Sequence, residues 1–466
     1  MSSRFGSLKK QKKLSNFIRH GPIKPFTGEI QLFQITPGDS FMLKLPNIAT
    51  IIIAVLFFSC TTPVRLPKQS NVAKIYNPSS TKIHPAFMVY HENENTSVLV
   101  IKIFPKEFIY SMANPEGQYR ATVRINFQLV DIENPDDNTL ADSGTFAINF
   151  ERENAEQRVI KEIRIKAELG KIYQLNIKAS DIIRNEELLK YMYVDKRSGA
   201  SHQNFMVFNE KTKFPYFPPY VLGNEQFRIR YNNAQQYDSI FVLFYGSEMP
   251  LPKPSFTLTR EREFLRQPDS LWVLPFNQNN LYQLAYEGMY FFQFDTAQDA
   301  GLTILNFGND FPRLKNPSDM ILPLAYLTSS PEYNEMKSAA NQKLAVDNFW
   351  LECAEDMERA RELIRIYYNR VFFSNYYFTS FKEGWMTDRG MIFIIYGPPQ
   401  AIYTKVNEER WVYYRKNYSS TITFVFNNVQ SPYADNNFIL QRSESYDIHW
   451  RQAVNSWKNG QVFLLD

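Results

Sequence analysis

From about residue 72 to 196 the apolar residues of this chain recur at every second position, a second unit of alternating and solidly apolar runs follows to about 328, and from about 331 they recur at every third or fourth. A strand turns successive side chains to opposite faces and a helix returns to the same face after three or four residues, so the switch divides the chain into a β-rich part and a helix-led part. In 121–130, Val123, Ile125, Phe127 and Leu129 alternate with Thr122, Arg124, Asn126 and Gln128, as in a strand with one buried and one wet face. Similar runs at 97–103, 145–150, 159–167 and 173–179, with Asn-Pro at 114–115 and 134–135 between them, predict an antiparallel sandwich over 72–198. A second β-rich domain is expected over 199–328, with strands at 227–231, 240–245 and 288–294. The stretch Phe214 to Tyr220 reads FPYFPPY and fits only an edge strand or a connector, because proline lacks the N–H that a ladder needs.

Beyond 331 the residues Ala360, Ile364, Tyr367, Tyr368, Val371, Asn375 and Phe378 share one helical face, and Ser330-Pro331 followed by Glu332 marks a helix start. After Gly384 the apolar runs 391–396, 410–414, 421–426 and 437–440 suggest a small sheet, which makes 331–466 an α+β domain.

Ahead of these domains, Ile48 to Ser59 is a run of twelve uncharged, mostly apolar residues, too short for an ordinary membrane-spanning helix of about 20 and suited to the core of a signal peptide. Lys44 precedes it and Ser59-Cys60 follows. The sequence LFFSC resembles a lipobox, at which the leader is cut and the Cys60 sulfur acylated, although Phe57 and Phe58 stand where leucine and a small residue are commoner. On this reading 1–59 is the leader region, with Met42 a plausible start, and 60–71 is a lipidated tether. Three acyl chains on Cys60 would hold the protein stably in a lipid bilayer. The stretch after the cysteine has no acidic residue, which favours the periplasmic face of an outer membrane over the cell surface.

Charge excludes one broad class of partner. Residues 1–60 carry eight basic and two acidic side chains, so the overall +4 leaves −2 for the remainder once their +6 is set aside. A nearly neutral chain has no excess with which to displace counterions from a nucleic acid. The five histidines are scattered without metal-ligand spacing, and no phosphate loop or dinucleotide fingerprint occurs, so neither metal nor cofactor is expected.

Residues 384–399 read GWMTDRGMIFIIYGPP. This segment resembles the GWxTD domain, named for Gly384-Trp385-Met386-Thr387-Asp388, and the resemblance extends from Asp347-Asn-Phe-Trp350 to Arg410-Trp-Val-Tyr-Tyr414. Gln400 stands where the family usually has an acid. The resemblance implies a bacterial envelope lipoprotein with β-rich amino-terminal domains and implies no particular reaction.

The residues themselves suggest a rigid corner. Gly384 and Gly390 would bracket a tight helix-to-strand connection, Gly397 with two prolines would end the strand, Trp385 would need a partner for its indole N–H, and Asp388 would accept backbone N–H bonds or pair with Arg389 or a distant arginine. The chemical alternative makes Asp388 a general base of a hydrolase on peptides or glycans, helped by Thr387, Arg389, Glu383 and Tyr396. An adjacent arginine would depress that carboxyl and spoil it as a base. A third alternative is a glycan-binding module with a planar row of aromatic rings on a sheet face. Cys353 is expected to be a small buried hydrophobe, and the acidic run Glu352, Glu355, Asp356 and Glu358 a solvated face paired with Arg359 and Arg361. The favoured function is a membrane-anchored structural or docking module with an envelope protein as partner.

Overall fold

A computed structural model describes residues 71–463, apart from 78, 114–116, 134–138, 218–219, 234–235, 247–248, 259–266, 406 and 415–420. The leader region, Cys60 and most of the tether lie outside the described residues. Among the described residues no helix is long and apolar enough to cross a membrane.

The first domain is two antiparallel sheets closed on one core. Strands β1 (Ala86–Asn93), β2 (Thr96–Ile103) and β6 (Val159–Lys166) form one sheet, and β3 (Ser111–Met112), β4 (Tyr119–Asp131), β5 (Leu140–Glu151), β7 (Ile172–Asp181) and β8 (Glu186–Asp195) the other. β4 turns Ala121, Val123, Ile125, Phe127 and Leu129 inward, as the alternation requires, against Leu99, Ile101, Ile165 and Leu175.

The second domain repeats the two-sheet plan. One sheet is β9 (Phe205–Asn209), β11 (Gln226–Tyr231) and β14 (Tyr282–Gln283). The other runs in the order β10 (Tyr220–Val221), β16 (Leu302–Asn306), β15 (Gly288–Gln293), β12 (Ser239–Gly246) and β13 (Ser270–Pro275). The proline-rich stretch behaves as an edge: Pro215 makes an isolated bridge to Phe208, and β10 joins β16 as a short parallel edge strand. All six residues of β15 are buried, because the sandwich core covers one face and the carboxy-terminal domain the other.

The carboxy-terminal domain opens with α1 (Pro317–Ile321) and α2 (Ser330–Ser338), whose start carries a capping box between Ser329 and Glu332. Then come α3 (Gln342–Cys353) and the 22-residue α4 (Met357–Phe378), capped by Asp356. α5 (Asp388–Tyr396) leads into an antiparallel meander of β17 (Ala401–Lys405), β18 (Glu408–Tyr414), β19 (Thr421–Asn428) and β20 (Phe438–Leu440), and α6 (Asp447–Lys458) closes the domain.

Residues 391–396, expected as a strand, are helical. All nine residues of α5 are buried, so no polar face exists to write a 3.6-residue period into the sequence. Gly397 at φ +82° and the two prolines therefore end a helix and not a strand. Arg359 and Arg361 do not neutralise the acidic run: Arg359 bonds Glu362 and the Gly460 carbonyl, and Arg361 lies against the Met357 sulfur.

The α4–α5 core extends into both β domains. It takes in Tyr245, Met289, Phe291 and Leu305 from the second, with Leu189 and Tyr191 of the first packed on its margin. Val72 and Ala73, placed by the sequence boundary at the start of the first domain, pack into this carboxy-terminal core.

Candidate functional site

The motif sits where α4, α5 and the sheet meet. Gly384 to Met386 form one 3-10 turn, pinned by side chains of α4 and its end: the Gly384 N–H donates to Thr379 Oγ1 (3.1 Å) and the Trp385 N–H to Asn375 Oδ1 (3.0 Å). Tyr326 donates to the Trp385 carbonyl at 2.8 Å. Thr387 caps α5, accepting from the Gly390 N–H at 3.0 Å while its hydroxyl donates to the Gly384 carbonyl at 2.7 Å. Neither glycine has a positive φ, contrary to the expected turn. Their lack of a side chain serves close approach: a Cβ on Gly384 would lie 1.9 Å from the Ser374 carbonyl oxygen, and one on Gly390 1.9 Å from the Gly384 carbonyl oxygen.

Asp388 pairs with Arg442, 54 residues away, and not with Arg389. Its Oδ1 takes Arg442 Nη2 at 2.6 Å, and its Oδ2 takes Nη1 at 3.2 Å and the Leu440 N–H at 2.8 Å. The same Arg442 Nη2 donates to the Lys253 carbonyl of the second β domain at 3.1 Å. The two side chains are 1% and 6% exposed, so the pair sits in a medium where charge-assisted bonds are strong and a lost partner is costly.

Arg389 points the other way. It lies over the rings of Phe438 (4.1 Å) and Phe378 (5.1 Å), meets Glu409 at 3.3 Å, and donates to both oxygens of Asn436. Glu409 also accepts from the Trp411 indole at 3.0 Å and from the Tyr76 hydroxyl at 3.1 Å. Arg370 of α4 is buried and bonds the carbonyls of Ile394 and Ile395 at the end of α5, where a cation complements the helix dipole; burial depresses its pKa to about 10. The Tyr396 ring is buried among Tyr413, Phe424 and Phe463, where burial raises its hydroxyl pKa, and Tyr413 donates to the Gly397 carbonyl at 2.9 Å.

Sequence reasoning missed Arg442, Glu409, Asn436 and Arg370, which lie far along the chain and carry no local signature. The space beside Asp388 is a notch of about 10 Å³ lined by Pro252, Ser380, Lys382, Thr387 and residues 436–439, room for about one water. Among the described residues no cluster of His, Cys, Asp and Glu has metal-binding geometry. The exposed large aromatics among the described residues, Phe214, Tyr286, Tyr376 and Tyr414, are scattered over two loops, α4 and β18.

Residues 288–459 match the GWxTD domain family. The chain carries a GWxTD domain. The match begins at β15, so the domain as the family defines it includes the last two strands of the second sandwich, β15 and β16, which agrees with the burial of β15 against the helices. No curated protein matches the chain. A crystal structure described as a "putative beta-galactosidase" from Bacteroides fragilis aligns at 9% identity over 32% of this chain and 18% of its own, with a TM-score of 0.16, an overlap that carries no argument on fold or activity.

Two side chains of the GWxTD domain have measurable chemistry. Cys353 is buried, and burial pushes its thiol up to about 11. Its reaction with an aromatic disulfide reagent at pH 8 is expected to be at least ~100-fold slower in the native protein than in the unfolded one. Glu383 accepts from the Trp385 indole at 2.9 Å, yet burial, with Asp319 and Glu287 nearby, raises its carboxyl to about 7. The native state therefore holds this proton more tightly than the unfolded chain, and stability falls as pH rises from 4.5 through about 7. Glu383→Gln keeps an acceptor for the indole and removes the charge. Its unfolding free energy is expected to match wild type at pH 4 and to exceed it at pH 8 by on the order of 2 kcal/mol, allowing for partial exposure.

Proposed function

We propose that this chain is a lipoprotein of a bacterial cell envelope, held in the outer membrane through acylated Cys60 on the periplasmic side. Its GWxTD domain binds two β modules into one body that docks onto another envelope protein. The observation that carries the docking reading is the engagement of the motif inside the fold: Asp388 is bound to Arg442 and Leu440, and Arg389 to Glu409 and Asn436. A general base must reach a substrate proton, and a carboxylate 1% exposed beside a one-water notch has no room for one. The membrane part of the reading rests on the apolar run, the adjacent lysine and LFFSC. Two measurements test the two parts. Mass spectrometry of the mature amino terminus is expected to find Cys60 carrying a diacylglyceryl thioether; an unacylated thiol there contradicts the anchor. Density-gradient sedimentation of mildly solubilised envelopes is expected to place the protein in a complex of fixed stoichiometry; a lone monomer in every detergent contradicts docking.

A further inference from the structure

The first described residues of the chain do not enter the first β domain directly. Asn71 and Val72 attach to the outer edge of β17: the Asn71 side chain accepts from the Ile402 N–H at 2.9 Å and donates to the Gln400 carbonyl at 3.1 Å, and the Val72 N–H donates to the Ile402 carbonyl at 3.0 Å. Val72 and Ala73 are buried there. Tyr76 then inserts among Tyr377, Phe378 and Trp411, with ring centroids 5.4, 4.9 and 5.6 Å away, and bonds the Glu409 that holds Arg389. The amino-terminal tether is thus clasped to the GWxTD domain before the chain crosses to β1.

From this clasp we infer that the GWxTD domain is the membrane-proximal part of the molecule, with the Asn71 end of its edge strand β17 facing the lipid headgroups and the two β domains carried outward. The inference rests on the anchor at Cys60 proposed above. Without the clasp, the 26 steps from Cys60 to Ala86 would reach about 90 Å, and any domain could lie against the bilayer. With it, the 11 steps from Cys60 to Asn71 reach at most about 40 Å. The charge near the clasp suits anionic headgroups. Lys74 is exposed on the clasp, and the tether itself adds Arg65 and Lys68 with no acid.

The full-length acylated protein, reconstituted into phosphatidylethanolamine–phosphatidylglycerol vesicles with a headgroup-linked spin-label quencher, tests the orientation. Single cysteines are introduced by Tyr414→Cys beside the clasp, Ala147→Cys on β5 and Val273→Cys on β13, all at exposed positions, and labelled with one fluorophore. Acylated Cys60 cannot react, and Cys353 is buried. Quenching at 414 is expected to exceed that at 147 and 273 by at least threefold. A second variant, Val72→Pro, removes the N–H that bonds Ile402 and should shrink the difference toward equality. Equal quenching at the three sites in the intact protein, or stronger quenching at 147 or 273, overturns the orientation while the anchor stands. Mass spectrometry of the same sample separates the two: an unacylated Cys60 overturns the anchor and the orientation together.

Discussion

Asp388→Ala is expected to lower the unfolding free energy by roughly 3–5 kcal/mol. The loss leaves the Arg442 guanidinium buried with the Lys253 carbonyl and without its carboxylate, the circumstance in which breaking a buried pair costs that much. It also strands the buried Leu440 N–H, for about another 1–3 kcal/mol. A domain of ordinary stability has 5–15 kcal/mol in all, so the variant should be partly unfolded at growth temperature. Five of the six tryptophans, at 350, 385, 411, 450 and 457, are buried in the GWxTD domain, and their fluorescence in a guanidinium titration reports the shift directly. A variant with an unchanged midpoint would mean that the motif carboxylate is spare for other work.

Gly390→Ala is expected to be comparably damaging, for a steric reason. The added methyl would lie 1.9 Å from the Gly384 carbonyl oxygen and 3.0 Å from Trp385 Cα, and both obstacles are backbone that cannot rotate aside. Overpacking of a core usually costs about 1–3 kcal/mol, and a clash with backbone belongs at or above the upper end. Gly384→Ala meets the Ser374 carbonyl at the same 1.9 Å and should behave alike. Gly199→Ala is the control: nothing lies within 4 Å of its Cβ, and its thermal midpoint should move little, upward if at all. Thermal unfolding of the three variants side by side checks the order.

How much of this was legible in the sequence depends on which faces of each element meet water. β4 was readable because one face is wet, so Thr122, Arg124, Asn126 and Gln128 punctuate the apolar residues. α5 was misread because no face is wet, and Met391 to Tyr396 then look like a central strand. The need for glycine at 384 and 390 was visible, but its cause was not, since the close packing of the 384–386 turn on α4 and of α5 on that turn leaves no mark on local backbone preference. Asp388 announced that it required a donor, while Arg442, 54 residues on, announced nothing. The clasp was equally hidden: Asn71 is one polar residue at the end of a tether, and only the exposed edge of β17 gives it meaning. Sequence therefore exposed the motif as a constrained corner, whereas its partners required the fold.

The claim on which the rest depends is that Asp388 serves the architecture through Arg442. A double-mutant cycle by guanidinium unfolding measures it, with Asp388→Asn, Arg442→Met and the two combined. The expected coupling energy is about 2–3 kcal/mol, with the double variant more stable than the sum of the single losses implies. A coupling near zero, with each single variant close to wild type, would show that the buried pair holds nothing together and would return Asp388 to the list of groups available for chemistry.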